Sequence, residues 1–349
     1  MALDIIFFDK TAQGQEVKQV SLINKNGMIV QLLDYGATIR SIFAKDKNGN
    51  LRDVVLGFDN MAAYEKSRAH FGAAIGRHAN RLANSCFTLD GVTYNLPANE
   101  GKNQLHGGII GFDRRMWKIE PIGPSAVRFT LVSPDGEEGY PGNLTTAITY
   151  SLTDDDALSI EYTAATDKPT IVNFTNHSYF NLNGHNSGTA MNHTLQINSN
   201  FITEIAEGSI PTGTLLPVHG TPFDFTVPKV IGKDINDTSD AQIVQGGGYD
   251  HNYVLGKTSA PIAVLAGDES GIVMETYTTQ PGVQFYSGNF ISRTPQPLGK
   301  DNAIYSSRDA VCLETQHYPD SPSHQQFPSV VLRPGEHFAE TTTYKFFTR

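Results

Sequence analysis

Glu314 follows three apolar residues, Val311, Cys312 and Leu313, in a run that ends Thr315-Gln316-His317. A carboxyl group carried into the core on such a run loses hydration, which raises its pKa and makes it a stronger base whenever it ionises. A buried structural ion pair is the competing account. Residues 173–182 (NFTNHSYFNL) hold a second titratable group, His177. If they are extended, Thr175, His177, Tyr179 and Asn181 share one face, and Phe174, Asn176, Ser178 and Phe180 the other. Four polar-capable groups on one face, flanked by apolar residues, exceed what packing alone asks for. A hydrogen-bonded core histidine remains the alternative.

Other groups are suited to holding hydroxyls. Asn80 and Arg81 close residues 76–81 (GRHANR); an amide beside a guanidinium donates several hydrogen bonds in fixed geometry. His106 precedes Gly107 and Gly108, where a backbone without side chains can approach a ligand closely. Asp250 follows three glycines and can accept from a sugar hydroxyl. Gln284 lies in residues 278–289, which are rich in amides and hydroxyls. Each has a plainer reading: a surface loop, a turn histidine, a turn aspartate and a polar loop respectively. No P-loop, Rossmann glycine fingerprint, HExxH or GxSxG occurs. No two histidines stand at close ligand spacing beside a carboxylate, so a metal is not expected.

The elements that must position these groups are strands. Val127, Phe129 and Leu131 alternate with Arg128 and Thr130, and Leu158, Ile160 and Tyr162 with Ser159 and Glu161. Similar runs lie at 17–23, 28–33, 144–151, 272–279 and 340–347. Gly, Asn and Asp mark turns between runs, as in Asp90-Gly91 and Asn48-Gly49. Helical signals are few: Asp59 is placed to cap a short helix over 61–65, and 240–244 suit one turn. Without βαβ alternation, the reading is all-β, antiparallel, with large stacked sheets and one continuous domain over 1–349.

Composition narrows the function classes. A net charge of −10 argues against a polyanionic partner such as nucleic acid. No apolar run approaches the ~18 residues of a membrane span, and residues 1–10 lack a secretory pattern, which favours the cytoplasm. The two cysteines, Cys86 and Cys312, have neither zinc nor redox-pair spacing.

Taken in order, the segments resemble the galactose mutarotase (aldose 1-epimerase) family. The matching strings are GRHANR at 76–81, LHGG at 105–108, DGEEGYPG at 135–142, NHSYFNL at 176–182, DHNY at 250–253, QPGVQFYSGN at 280–289 and LETQH at 313–317. They run through nearly the whole chain. The resemblance implies a large twisted antiparallel β-sandwich of the mutarotase supersandwich type with an open cleft, no metal and no organic cofactor. It implies Glu314 as general base and His177 as general acid. Asn80, Arg81, His106, Ser178, Tyr179, Asp250 and Gln284 would then line the cleft and bind the sugar. His78 stands where relatives vary and receives no role.

The implied reaction exchanges α and β anomers of free hexoses, galactose or glucose, by a monomer or homodimer. A hemiacetal opens when O1–H loses a proton while ring oxygen O5 gains one, and each transfer is assisted about 10²–10⁴-fold by a positioned side chain. The task calls for a base and an acid at opposite sides of the C1–O5 unit, and for a bell-shaped pH–rate profile that changes between pH 5 and 8. Three alternatives remain open: a hexose 6-phosphate epimerase, a non-catalytic sugar-binding relative, and a glycoside hydrolase using Asp250 with Glu314.

Overall fold

The alternating runs fold into antiparallel ladders throughout the computed structural model, which describes residues 3–292 and 297–349. Met1 and Ala2 of the opening segment therefore lie outside the described residues. The largest sheet has nine strands, in the order Lys118–Gly123, Ala126–Ser133, Leu144–Leu152, Ala157–Thr166, Phe338–Thr348, Ile272–Thr278, Ala263–Ala266, Thr194–Ile197 and Lys229–Val230. Its alternation is the one the sequence shows: Val127, Phe129 and Leu131 are buried, as are Leu158, Ile160 and Tyr162. A five-stranded sheet holds the N-terminal strands from Asp4–Lys10 to Leu51–Asp53 in sequential order.

A second five-stranded sheet, here the site sheet, runs Ile210–Pro217, Phe201–Ala206, Asp250–Val254, Gly282–Tyr286 and Cys312–Gln316. Its last three strands pair so that Asn252 faces Gln284 and Gln284 faces Glu314. Because side chains alternate, Asp250, Asn252, Gln284, Tyr286, Cys312, Glu314 and Gln316 share one face. Tyr253, Val283, Phe285 and Leu313 share the other and join a core cluster fed by all three sheets. Two buried phenols tie the layers together. Tyr344 donates to the Leu313 carbonyl at 3.0 Å, and Tyr150 to the Ala37 carbonyl at 2.6 Å.

Two α-helices occur among the described residues, Met61–Lys66 and Ala241–Gly246. The first is capped by Asn60, not by Asp59 as the sequence suggests. Asn60 Oδ1 accepts from Ala63 N–H at 2.9 Å, while Asp59 bonds Arg40 at 2.7 Å. Asp240 caps the second helix, accepting from Gln242 and Ile243. No helix among the described residues is long and apolar enough to cross a membrane.

Candidate active site

Glu314 reaches the polar face of the site sheet from its last strand, where apolar neighbours on the other face hold the strand in the core. His177 comes from an extended segment with only two residues of regular strand, Thr175–Asn176. That strand pairs antiparallel with Ala74–Ile75, and bonds past its end continue the pairing: His177 N–H donates to the Ala73 carbonyl at 2.9 Å and its own carbonyl accepts from Gly72 at 2.9 Å. The alternation expected for residues 173–182 survives locally, since His177 and Tyr179 face a cavity and Ser178 does not.

That cavity has a volume of about 250 Å³, a small one suited to a monosaccharide-sized ligand. Of the residues the sequence singles out, Asn80, Arg81, His106, His177, Tyr179, Asp250 and Glu314 lie on its wall. Two do not. The Ser178 hydroxyl donates to Asn176 Oδ1 at 2.6 Å, and Gln284 sits behind Asp250, donating to its Oδ1 at 2.7 Å. Gln284 holds Asp250 in place instead of lining the wall.

Glu314 Oε1 stands 3.6 Å from His177 Nε2. The two are neighbours on one side of the cavity, not on opposite sides of it as the sequence reading supposes. Both O1 and O5 are bonded to C1, so adjacent groups can still address one oxygen each. Burial pushes the Glu314 carboxyl well above its usual range, and Asp250 adds to the push against Arg81. Burial and His70 together push His177 down to about 3. Both shifts disfavour charge, which favours a single proton shared by the pair and resting toward the carboxyl. A second proton joins only in strongly acid solution, which moves the acid limb of any pH–rate profile below the pH 5–8 window expected from sequence. On its other edge, His177 Nδ1 meets Cys312 Sγ at 3.5 Å, and burial keeps that thiol protonated.

His106 is held differently. Its Nδ1 accepts the Asn80 backbone N–H at 3.1 Å, and the His106 backbone N–H donates to the Asn80 carbonyl at 3.1 Å. An imidazole that accepts at Nδ1 carries its proton at Nε2, so His106 is a neutral donor. Burial, His70 and His177 all push its pKa down, which agrees. Asn80 and His106 both have positive φ, 63° and 53°. Gly107 makes the junction possible, because a methyl group there would overlap the Gly76 carbonyl. Arg81 completes this wall: its Nε and Nη2 donate to Glu100 at 2.7 and 2.9 Å, and its Nη1 lies 3.7 Å from Asp250 Oδ2.

His106, His177 and Glu314 bring metal-ligand atoms within 4.8 Å of one another. Linear spacing conceals this cluster, since the three residues are far apart in the chain. The second partners do not suit a metal, however. A ligating imidazole donates through its other nitrogen, whereas His106 accepts there and has no free lone pair at Nε2. The arrangement fits a hydroxylated ligand better.

Among polar wall residues the sequence reading misses Arg68, His70, Glu100 and Tyr286. Tyr286 was available by counting two residues on from Gln284 along a strand. Glu100 sits in Asn99-Glu100-Gly101, which reads as an ordinary turn. His70 lies between Ala69 and Phe71, and that polar residue in an apolar setting was its one signal.

Comparison with known proteins gives a consistent result. The family model described as Aldose 1-epimerase matches residues 18–345. Galactose mutarotase from Homo sapiens is 43% identical over 343 residues, covering 98% of this chain and 97% of its own. Aldose 1-epimerase from Escherichia coli K12 is 42% identical over 340 residues, covering 95% and 96%. Among solved structures, an aldose epimerase homologue from C. elegans superposes with a TM-score of 0.88 at 31% identity, covering 95% of this chain and 98% of that one. Galactose 1-epimerase from Lactobacillus acidophilus gives 0.87 at 30% identity, covering 100% and 99%.

Proposed function

Because the chain belongs to the aldose 1-epimerase family, we propose that Glu314 and His177 are the base and the acid with which it interconverts the α and β anomers of hexoses. The observation that carries this assignment is the 3.6 Å approach of Glu314 Oε1 to His177 Nε2 on the wall of one cavity. Moving the shared proton from carboxyl to imidazole across that contact creates the reacting pair. Glu314 then takes the proton from O1 while His177 gives one to O5, and the C1–O5 bond breaks. Rotation about C1–C2 turns the aldehyde over. Reclosure reverses the two transfers and leaves the pair as it began.

The remaining wall residues hold the sugar. His106 donates through Nε2, Asp250 accepts, and the side-chain amide of Asn80 has no protein partner on its nitrogen among the described residues. Arg81, charged and clamped by Glu100, stands 3.7 Å from Asp250 and opposes the rise in that carboxyl's pKa that burial, with Glu100, produces. Galactose and glucose are the substrates this reading assigns. It also takes residues 1–349 as one domain, acting as a monomer or homodimer in the cytoplasm. In support, groups from residue 80 to residue 314 of one chain meet in one cavity, and Cys86 and Cys312 are free thiols.

The test follows anomer exchange of pure α-D-galactose and α-D-glucose by polarimetry. The wild-type protein is expected to accelerate it, and Glu314→Gln to lose most turnover while keeping its sugar affinity. Equal loss of binding would make Glu314 a sugar-holding residue and return the base to another group.

A further inference from the structure

A second carboxylate–imidazole pair borders the same cavity, and the proton transfers described above do not use it. His70 Nδ1 lies 2.8 Å from Asp113 Oδ2, with side-chain exposures of 18% and 8%. Arg114 Nε stands 3.7 Å from the same oxygen. The His70 ring centroid is 5.0 Å from that of His106, edge to face, and 5.9 Å from that of His177, nearly parallel. Its backbone has φ +56°, a conformation side chains with a β-carbon disfavour, and such outliers concentrate at functional sites. A purely structural ion pair would be closed over by its surroundings; His70 is part of the cavity wall.

The two Nδ1 partners give neighbouring imidazoles opposite character. Asp113 can only accept, so His70 donates from Nδ1, and the neutral ring in that tautomer has its lone pair at Nε2. His106 accepts at Nδ1 and donates from Nε2. An acceptor beside a donor matches a hydroxyl group, which can donate to one and accept from the other. We infer that His70, oriented by Asp113, is a sugar-binding residue of this site, and that its Nε2 accepts a hydrogen bond from a sugar hydroxyl to which His106 donates. This rests on the reading of the cavity as the hexose site. His70 thereby selects for a hydroxyl at one ring position, and Asp113 is a positioning residue that fixes the tautomer.

The experiment measures KM and kcat for galactose and for the set of monodeoxygalactoses that retain O1 and O5. Wild type is compared with His70→Asn, a residue that tolerates positive φ. For galactose KM is expected to rise about three- to tenfold in the variant, the worth of one hydrogen bond, with kcat changed less than about twofold. One deoxy sugar, lacking the bracketed hydroxyl, should show the same KM with both proteins. Asp113→Asn, which frees the tautomer, should raise KM for galactose by a smaller factor and spare the same deoxy sugar. It provides this test whether or not His70→Asn folds. Unchanged KM for galactose, or equal sensitivity of every deoxy sugar, overturns the inference. Failure of the wild-type protein to bind any hexose would instead overturn the assignment of the cavity.

Discussion

The two faces of the site sheet share one backbone and are both buried, yet they are built on different terms. The core face carries Tyr253, Val283, Phe285 and Leu313, packed into the common cluster. The polar face carries Asn252, Gln284, Glu314 and Gln316, and leaves the side-chain nitrogen and oxygen of Asn252 and of Gln316, Gln284 Oε1 and Glu314 Oε2 without hydrogen-bond partners among the described residues. Leaving buried polar atoms unpaired costs stability, of order 1–3 kcal/mol each. The period of two therefore sorts the sheet into a face that stabilises the fold and a face that spends stability on chemistry.

Substitutions on each face should separate these roles. The largest effect is expected from Glu314→Gln, which should lower kcat by about 10²–10⁴-fold without lowering the melting temperature, because it removes a buried ionisable group. A loss of stability instead would put Glu314 among the fold's supports. Phe285→Ala, on the opposite face of the neighbouring strand, should cost about 3–5 kcal/mol in urea unfolding, with kcat of the folded protein far less affected than in Glu314→Gln.

Acid should divide activity from stability. Burial and His317 hold His78 down at about 3, and His251 is likewise pushed to about 3 and His317 to about 4 by burial. A histidine whose folded pKa is depressed binds its proton more readily in the unfolded chain. Its contribution is intact above the unfolded value near 6.5 and is lost progressively as pH falls toward the folded value. Each such group adds about 1.4 kcal/mol per pH unit to the slope. Stability measured from pH 6 to 4.5 should fall steeply, and His78→Val should lessen the slope by about one such increment. Over pH 7 to 5, kcat should stay level, since the pair takes up a further proton only near the depressed pKa of His177, about 3. A kcat that tracks the unfolding curve would show one set of groups controlling both.

The smallest effect sharpens the comparison most. Gln316→Met keeps the volume and removes an amide with no partner, so stability should change by less than about 1.5 kcal/mol. A larger loss in thermal unfolding would mean that the amide is satisfied by ordered water.

Period-two runs announced the strands, and Glu314, His177, Asp250 and Asn80-Arg81 drew notice because each is polar where the local pattern favours apolar residues or glycine. What the linear pattern could not convey was register between distant segments. Gln284 seemed a wall residue, but its amide is taken up by Asp250, to which it donates at 2.7 Å. Ser178 was grouped with the wall by resemblance, although counting along its segment already places it on the other side from His177 and Tyr179. His70 and Glu100 went unnoticed because their roles depend on Asp113 and Arg81, which no local spacing connects to them. Glu314 and His177 came out adjacent because a short antiparallel pairing of Thr175–Asn176 with Ala74–Ile75, continued by bonds to residues 72 and 73, sets the depth of His177.

Gly107 and the carbonyl of Gly76 touch where a β-carbon has no room, and the loops they belong to carry His106 on one side and Asn80 with Arg81 on the other. Those two stretches are in effect a single machined part, and neither can be reshaped alone. Anyone wishing to retailor the enzyme for bulkier sugars would do better to begin at Phe290, a half-buried residue of the cavity wall, leaving that joint untouched.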